Sequence, residues 1–488
     1  MKKVKYNLKS AAFIVLLTLM TSCSDDFVDV DPVVENSENF FNSEEDYQSA
    51  LIGAYDLLQS TYLNVMLGEI ASDNTLAGGE SASDSPGIQE IDDMVHTPVN
   101  AQLRDIWSWM YAGVNRANYI MEFQDKTDFA GKEEVIAQTR FLRAYYYFEL
   151  VKWFGDVPLA IDRRILFGEE TDFDRAPKED VYALIEEDLQ FAADNLPAIQ
   201  AETGRITQGA ARALLGKVYL FQNKFSEAAI VLDQVITGPY DLVTDYESIF
   251  EQEGENNIES VFEVQYTDEE GAGFDCLQCS EGNVAVGFNG IRNYSGPLFE
   301  SGFSFNVPTQ EVVDAFETGD IRLDVAILDI NVWAADQGAT FSTGFEHTGY
   351  FNRKYIARQG DLNTGDANLT NPNNYRAIRF ADVLLMAAEA HNRKSPSNDG
   401  QALTYLNRVR TRAQLPDVTA TGTALTDAIY QERRVELVGE GHHFFDLVRT
   451  GRAATEIDGF VTGKHELFPI PLIEIQLAGN RWEQNPGY

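Results

Sequence analysis

The sequence predicts a mainly α-helical protein, built as a scaffold of about four antiparallel helix pairs around one loop-rich insertion with short strands. Three observations lead there. Apolar residues recur at three- and four-residue steps in a series of separate segments. Small residues within 209–236 fall where two helices must approach closely. Residues 237–375 lose that period and fill with Gly, Asn, Ser and Asp. Of 488 residues 44% are hydrophobic, including 30 Phe and 21 Tyr, enough to build a large core and to exclude general disorder.

Taken in order, Lys2, Lys3, Lys5 and Lys9 form a positive start, followed by an apolar run over 11–20 broken only by Thr18. That run is about half the ~20 residues needed to span a bilayer, so residues 1–22 are expected to be a signal peptide. Met20-Thr21-Ser22-Cys23 resembles the lipobox of bacterial lipoproteins, which makes Cys23 the expected site of lipidation. Ser24-Asp25-Asp26 resembles the export signal that sends Bacteroidota lipoproteins to the outer face of the outer membrane. Residues 23–40 are polar and acidic, suited to a tether, and 41–488 form the body.

In the body, Tyr47, Ala50, Leu51, Ala54, Tyr55, Leu57 and Leu58 keep helical spacing, and 68–100 reads as a long loop rich in Gly, Ser and Asp. Helical periodicity returns over 103–123, 134–154 and 178–195, the last after Pro177. Leu215-Gly216-x2-Tyr219, with Ala228 and Leu232, has the spacing of a tetratricopeptide helix pair, Tyr219 and Leu232 filling the gap. Residues 381–391 with 402–412 suggest another pair, 137–154 with 181–196 a third, and 47–58 with 106–123 a fourth. Such pairs need neighbours to bury their faces. The scaffold is thus expected over 41–236 and 376–488. The insertion spans 237–375, with candidate strands at 260–265 and 350–357. Irregular segments on a rigid support are where function is usually carried.

The formal charge is −40, and removal of the four leading lysines takes the mature chain to −44. An excess of 77 acidic over 37 basic residues excludes nucleic acid and anionic lipid surfaces as general partners.

Several segments together resemble the SusD/RagB family, surface lipoproteins that capture nutrients for TonB-dependent transporters. They are Arg140-Phe-Leu-Arg-Ala-Tyr-Tyr-Tyr-Phe-Glu-Leu-Val-Lys-Trp-Phe-Gly-Asp-Val-Pro158, Tyr375-Arg-Ala-Ile-Arg-Phe-Ala-Asp-Val-Leu-Leu-Met-Ala-Ala-Glu-Ala390 and Leu406-Asn-Arg-Val-Arg-Thr-Arg-Ala413. Glu432-Arg-Arg-Val-Glu-Leu437, Phe445-Asp-Leu-Val-Arg449, Pro469-Ile-Pro471 and the ending Gln484-Asn-Pro-Gly-Tyr488 complete the set, in the family's order. Read physically, most of these motifs are scaffold. Arg140, Arg143, Tyr145, Tyr146 and Trp153 suit interhelical packing with guanidinium–carboxylate pairs. Glu432, Arg433, Arg434 and Glu436 suit an internal ion-pair network, and Pro469-Ile-Pro471 a clip for the C-terminus.

The resemblance implies a cell-surface glycan-binding lipoprotein, without catalytic residues, metal or cofactor, docked on a SusC-like TonB-dependent transporter. A sugar site requires aromatic platforms edged by amides, carboxylates and guanidinium groups. Trp107, Trp109 and Trp153 lie in periodic helices and Trp482 in the terminal clip, which leaves Trp333 as the expected platform. Asn283, Phe288, Asn289, Arg292 and Tyr294 form a second candidate cluster, and Ser72, Asp73 and Asn74 with Glu80 a third, its Asp and Asn alternatively turn formers. Cys276-Leu-Gln-Cys279 lacks the second ligand pair of a zinc site, so a disulfide shaping the 270–295 loop is expected. His442-His443 are adjacent, point about 100° apart on a helix, and are read as structural. Strong acidity disfavours polyanions unless Arg292 or a cation compensates, which favours neutral glucans of the laminarin type. The alternatives are a surface glycoside hydrolase, which needs two positioned carboxylates, and a peptide-binding member of the same family.

Overall fold

The computed structural model describes residues 40–269, 272–360, 366 and 368–488. The expected signal peptide, the expected lipidation site Cys23 and the expected tether up to residue 39 lie outside the described residues.

Ser43 opens α1 (Glu44–Asp56) with a capping box: its Oγ accepts the Asp46 N–H at 3.3 Å, and the Asp46 carboxylate accepts the Ser43 N–H at 3.0 Å. Then come α2 (Tyr62–Ile70), α3 (Pro86–Asp92), α4 (Ala101–Glu122), α5 (Lys132–Phe154), α6 (Lys178–Asn195), α7 (Gln208–Phe221) and α8 (Phe225–Ile236). The insertion carries α9 (Ile330–Gln337), and the chain returns to the frame with α10 (Phe380–Arg393), α11 (Asp399–Arg412), α12 (Thr423–Glu436) and α13 (His443–Arg449). Packing follows one continuous order: α1 on α4, then α5, α6, α7, α8, α10 and α11. All four expected pairs are therefore neighbours in a single stack, sharing one hydrophobic core. Within α5 the residues from Phe141 to Val151 are buried on every face, as a central helix requires.

At Gly216 a Cβ atom would lie 2.5 Å from Leu232, so the missing side chain is what lets α7 and α8 touch. Tyr219 departs from the expectation. It is half-buried with Lys224 Nζ over its ring at 5.8 Å, because Leu232 alone fills the gap.

Among the described residues the ten short strands are β1 (Thr75–Ala77), β2 (Val157–Pro158), β3 (Arg175–Ala176), β4 (Ser260–Val264), β5 (Ile291–Arg292), β6 (Ser301–Gly302), β7 (Asn306–Pro308), β8 (Ile327–Asp329), β9 (Tyr350–Asn352) and β10 (Tyr375–Arg379). They pair as two-stranded sheets: β1–β7, β2–β3, β4–β10 and β8–β9 antiparallel, β5–β6 parallel. The segment 68–100, expected to be a loop, holds the end of α2, β1 and α3. Its strand exists only because residues 306–308 pair with it across more than 200 positions, which no local pattern reveals. Phe40 packs against the stack, its ring on Tyr119 at 6.2 Å.

A buried ionic network fastens the insertion to the last helices. Arg379 bridges Glu259 and Glu436, each at 2.8 Å, and reaches Glu440 at 2.9 Å. Arg412 binds Glu436 and Glu259, Arg322 binds Asp320, Glu432 and Glu436, Arg410 binds Glu432, and Lys354 binds Glu440. Burial alone would raise the Glu436 pKa, but the guanidinium groups of Arg412, Arg379 and Arg322 outweigh it and hold the carboxyl below its ordinary value. Burial pushes the Lys354 ammonium down to about 8 against the pull of Glu440. A second group joins Arg433 to Asp382 and Asp446, Lys217 to Asp382, and Arg449 to Glu389. In the stack, Arg143 grips Asp188 through two bonds of 2.7 and 2.8 Å.

The C-terminal clip is equally explicit. Gln484 accepts the Ile470 N–H at 2.8 Å and donates to its carbonyl at 2.7 Å, while Asn485 donates to Phe154 O and Phe468 O.

Candidate functional site: an aromatic cleft

A cleft of about 310 Å³ opens where α2, the start of α4 and the first half of the insertion meet. From α2 come Tyr62, Leu63 and Met66; from α4, Gln102, Asp105 and Trp109, which the helical repeat sets on one face. The turn between β1 and α3 adds Glu80, Asp84 and Ser85, and the insertion adds Phe274, Leu277, Phe288, Arg292, Phe303 and Phe305.

The aromatic rings form a ladder. Phe274 lies 5.7 Å from Phe303, Phe303 lies 5.7 Å from Phe288, and Phe288 lies 5.4 Å from Phe305 and 6.4 Å from Tyr62. Tyr62 continues it to Trp109 at 6.1 Å. The inner rings are buried, Phe303 is half-buried, and Phe274 is 60% exposed. The ladder therefore ends in solvent with an apolar face available to a ligand.

Arg292 fixes the platform. Its Nη2 donates to Phe303 O at 2.8 Å and its Nε to Ser304 Oγ at 3.3 Å. On the other side it meets Asp84 at 3.5 Å and Glu80 at 3.9 Å. The guanidinium is thus neutralised within the rim instead of standing as a free cation. Beneath the rim, Asp92 accepts the Ala77 N–H at 2.7 Å. Burial pushes its carboxyl up to about 7, and the Asp93 and Glu346 carboxylates add to that against the Ala77 hydrogen bond.

Of the residues singled out from the sequence, Phe288, Arg292 and Glu80 line this cleft. Trp333 and Tyr294 meet beside it. Trp333 Nε1 donates to the Tyr294 hydroxyl at 2.8 Å, its ring lies 5.2 Å from Phe299, and Tyr294 donates to Pro297 O at 2.7 Å. Both belong to a small apolar cluster behind β5.

Four others are turned into the frame. Asn283 donates to Asn373 O at 2.9 Å and accepts the Ala285 N–H; Asn289 donates to Tyr355 O at 3.2 Å and accepts from Asn306. Asn74 lies between Glu69 and Arg434, and the Asp73 carboxylate takes Arg434 at 2.5 Å and His443 at 2.9 Å. Burial would raise the Asp73 pKa, but His443 and Arg434 together lower it. Their polar atoms are occupied within the protein. His443 thereby has a structural partner, and burial drives the neighbouring His442 down to about 3.

Phe274, Phe303, Trp109, Tyr62 and Gln102 were not singled out by sequence reasoning. A signal existed for some: Gln102, Asp105 and Trp109 share a helix face, and Gly302-Phe303-Ser304-Phe305 alternates small and aromatic residues. Cys276 and Cys279 are joined in a disulfide at the root of Phe274. Among the described residues, Asp73, Glu311 and Glu456 approach metal-ligand spacing, but Asp73 is already paired with Arg434 and His443. Among them, too, no helix is long and apolar enough to cross a membrane.

Comparison with known proteins agrees with this architecture. The profile of the SusD family matches residues 329–467, and that of a group described as starch-binding and associating with the outer membrane matches residues 26–220. A solved laminarin-binding SusD-like protein is 36% identical, with a TM-score of 0.84, and the match covers 92% of this chain and 100% of that one. Surface glycan-binding protein A from Bacteroides thetaiotaomicron, solved with laminarihexaose, is 27% identical over 91% of this chain and 99% of its own, with a TM-score of 0.81. SusD-like protein P2 of Formosa agariphila is 28% identical across the full length of both chains. The chain belongs to the SusD/RagB family.

Proposed function

We propose that the protein is a non-catalytic glycan-binding lipoprotein of the outer membrane. In this reading Cys23 carries the lipid, the body faces the cell exterior, and captured oligosaccharide passes to a SusC-like TonB-dependent transporter for import. The observation that carries the reading is the aromatic ladder ending in the exposed Phe274 and the half-buried Phe303, edged by Gln102, Asp105, Glu80 and Asp84. Sugar rings offer apolar C–H faces to such a platform and hydroxyls to such a rim. Laminarin-type β-glucan is the proposed ligand. Two relatives are named for laminarin or laminarihexaose, and a rim whose one guanidinium is already paired with carboxylates suits a neutral chain better than a polyanion. Trp333 and Tyr294 are proposed to act indirectly, by supporting β5 and thereby Arg292 and Phe303.

Titration calorimetry with laminarihexaose, maltohexaose and an alginate oligosaccharide tests the reading. Binding is expected for laminarihexaose, with Phe303→Ala weakening it at least about tenfold, the ~1.4 kcal/mol of one aromatic face. Trp333→Phe, which keeps the ring but loses the donor to Tyr294, should change affinity less than about threefold. Preference for alginate would refute the ligand assignment, and unchanged affinity in Phe303→Ala would refute the site. Release of reducing ends above a buffer control would replace the binding-only reading with that of a hydrolase.

A further inference from the structure

The outermost ring of the platform stands on a loop of its own. Residues 273–280 close on themselves, with Cys276 N–H on Gly273 O, Cys279 N–H on Cys276 O and Ser280 N–H on Leu277 O. The loop joins the frame at its root, where Thr267 N–H meets Glu281 O at 2.8 Å and Ser280 Oγ donates to Leu369 O. Over the described residues of the loop, its shape is set by the Cys276–Cys279 bridge, by residues 277–279 packing on residues 57–61 with Leu277 in the cleft wall, and by the Phe274–Phe303 ring contact. Every other ring of the ladder sits in a helix or beside a strand, where backbone bonds hold it. Phe274 alone depends on a loop whose turn is closed covalently two residues away.

From this placement we infer that the Cys276–Cys279 bridge is a positioning device for the glycan platform and acts through Phe274. The inference rests on the glycan-binding reading above. A ring that bridges four residues adds little to global stability, because the unfolded chain closes so short a loop at small entropic cost. What it removes is local freedom. An exposed aromatic ring on an open loop must be ordered when a ligand arrives, and a ring already held against Phe303 does not bear that cost. The bridge therefore sets affinity without setting the fold.

The test is a two-by-two comparison in the mature full-length chain: wild type, Phe274→Ala, the paired change Cys276→Ser with Cys279→Ser, and all three together. Laminarihexaose affinity is read by calorimetry and folding by thermal melting. Phe274→Ala and the paired serine change should each weaken binding about three- to tenfold with unchanged melting. In the Phe274→Ala background, removing the bridge should change affinity less than about 1.5-fold, since the route of its effect is gone. Additive losses, or unchanged affinity in the paired serine variant, would overturn the inference while leaving the binding site in place. Reduction of the wild type with a phosphine should reproduce the paired variant, and full affinity after complete reduction counts against the proposal. Absence of any glucan binding by the wild type would refute both readings together.

Discussion

Replacing Glu436 by Gln tests what holds the insertion on the frame. Glu436 is fully buried at the end of α12 and accepts from three guanidinium groups: Arg322 at 2.9 Å, Arg379 at 2.8 Å and Arg412 at 2.5 Å. Around it five cations (Arg322, Arg379, Arg410, Arg412, Lys354) face five buried carboxylates (Asp320, Glu259, Glu432, Glu436, Glu440). Besides these, the half-exposed Glu317 holds Arg410 at 2.7 Å. The amide removes one of the buried negative charges from beside Arg322, Arg379 and Arg412, and its NH2 group points donors at donors. Breaking a buried pair on one side costs about 3–5 kcal/mol, because the remaining partner stays desolvated without its counter-charge. The sign of the pH dependence follows from the depressed pKa. The carboxylate's contribution is full above its ordinary value of 4.5 and is lost as the pH falls towards the folded-state value. Urea denaturation at pH 7, followed by tryptophan fluorescence, should show the midpoint lowered by that energy divided by the slope, with the slope unchanged. The gap between the two proteins should narrow below about pH 4.5. A loss under about 1 kcal/mol at pH 7, or a gap that widens in acid, would refute the reasoning.

Two further predictions concern packing and pH. Gly216→Ala places a Cβ 2.5 Å from Leu232 and should destabilise by about 1–3 kcal/mol, with Leu232→Ala in the same chain recovering part of the loss in denaturant titrations. Asp92 has its pKa raised to about 7 by burial, so its share of stability is present below its ordinary value and is lost as the pH rises through 7. Asp92→Asn should therefore flatten the fall in stability between pH 5 and 8, measured by thermal melting across that range. A variant curve parallel to the wild type's would contradict the assignment.

Much of the frame was legible because its signals are local. The 3.6-residue period marks α1, α4, α5, α6, α7, α8, α10 and α11, and Gly216 above Leu232 shows why one pair closes so tightly. The Glu432-Arg433-Arg434-Glu436 motif suits an internal ion-pair network, and its charges are paired in that way. Its partners were not legible: Asp382, Arg322 and Asp73 come from three other parts of the chain.

The cleft is the opposite case. Its lining runs from Tyr62 to Phe305 and meets only because β1 pairs with β7 and the insertion folds back over α2 and α4. The asparagines that resembled sugar ligands do other work. An insertion with little regular secondary structure leaves its carbonyls without ladder partners, and buried amides supply the missing donors. Asn283 serves Asn373 O, Asn289 serves Tyr355 O, Asn352 serves Gly439 O and Asn373 serves Phe250 O. The sequence by itself determined the helical stack, because helix periodicity and small-residue spacing are written within a few turns. Tertiary structure alone decided which aromatic rings face solvent, because exposure depends on what distant segments leave uncovered.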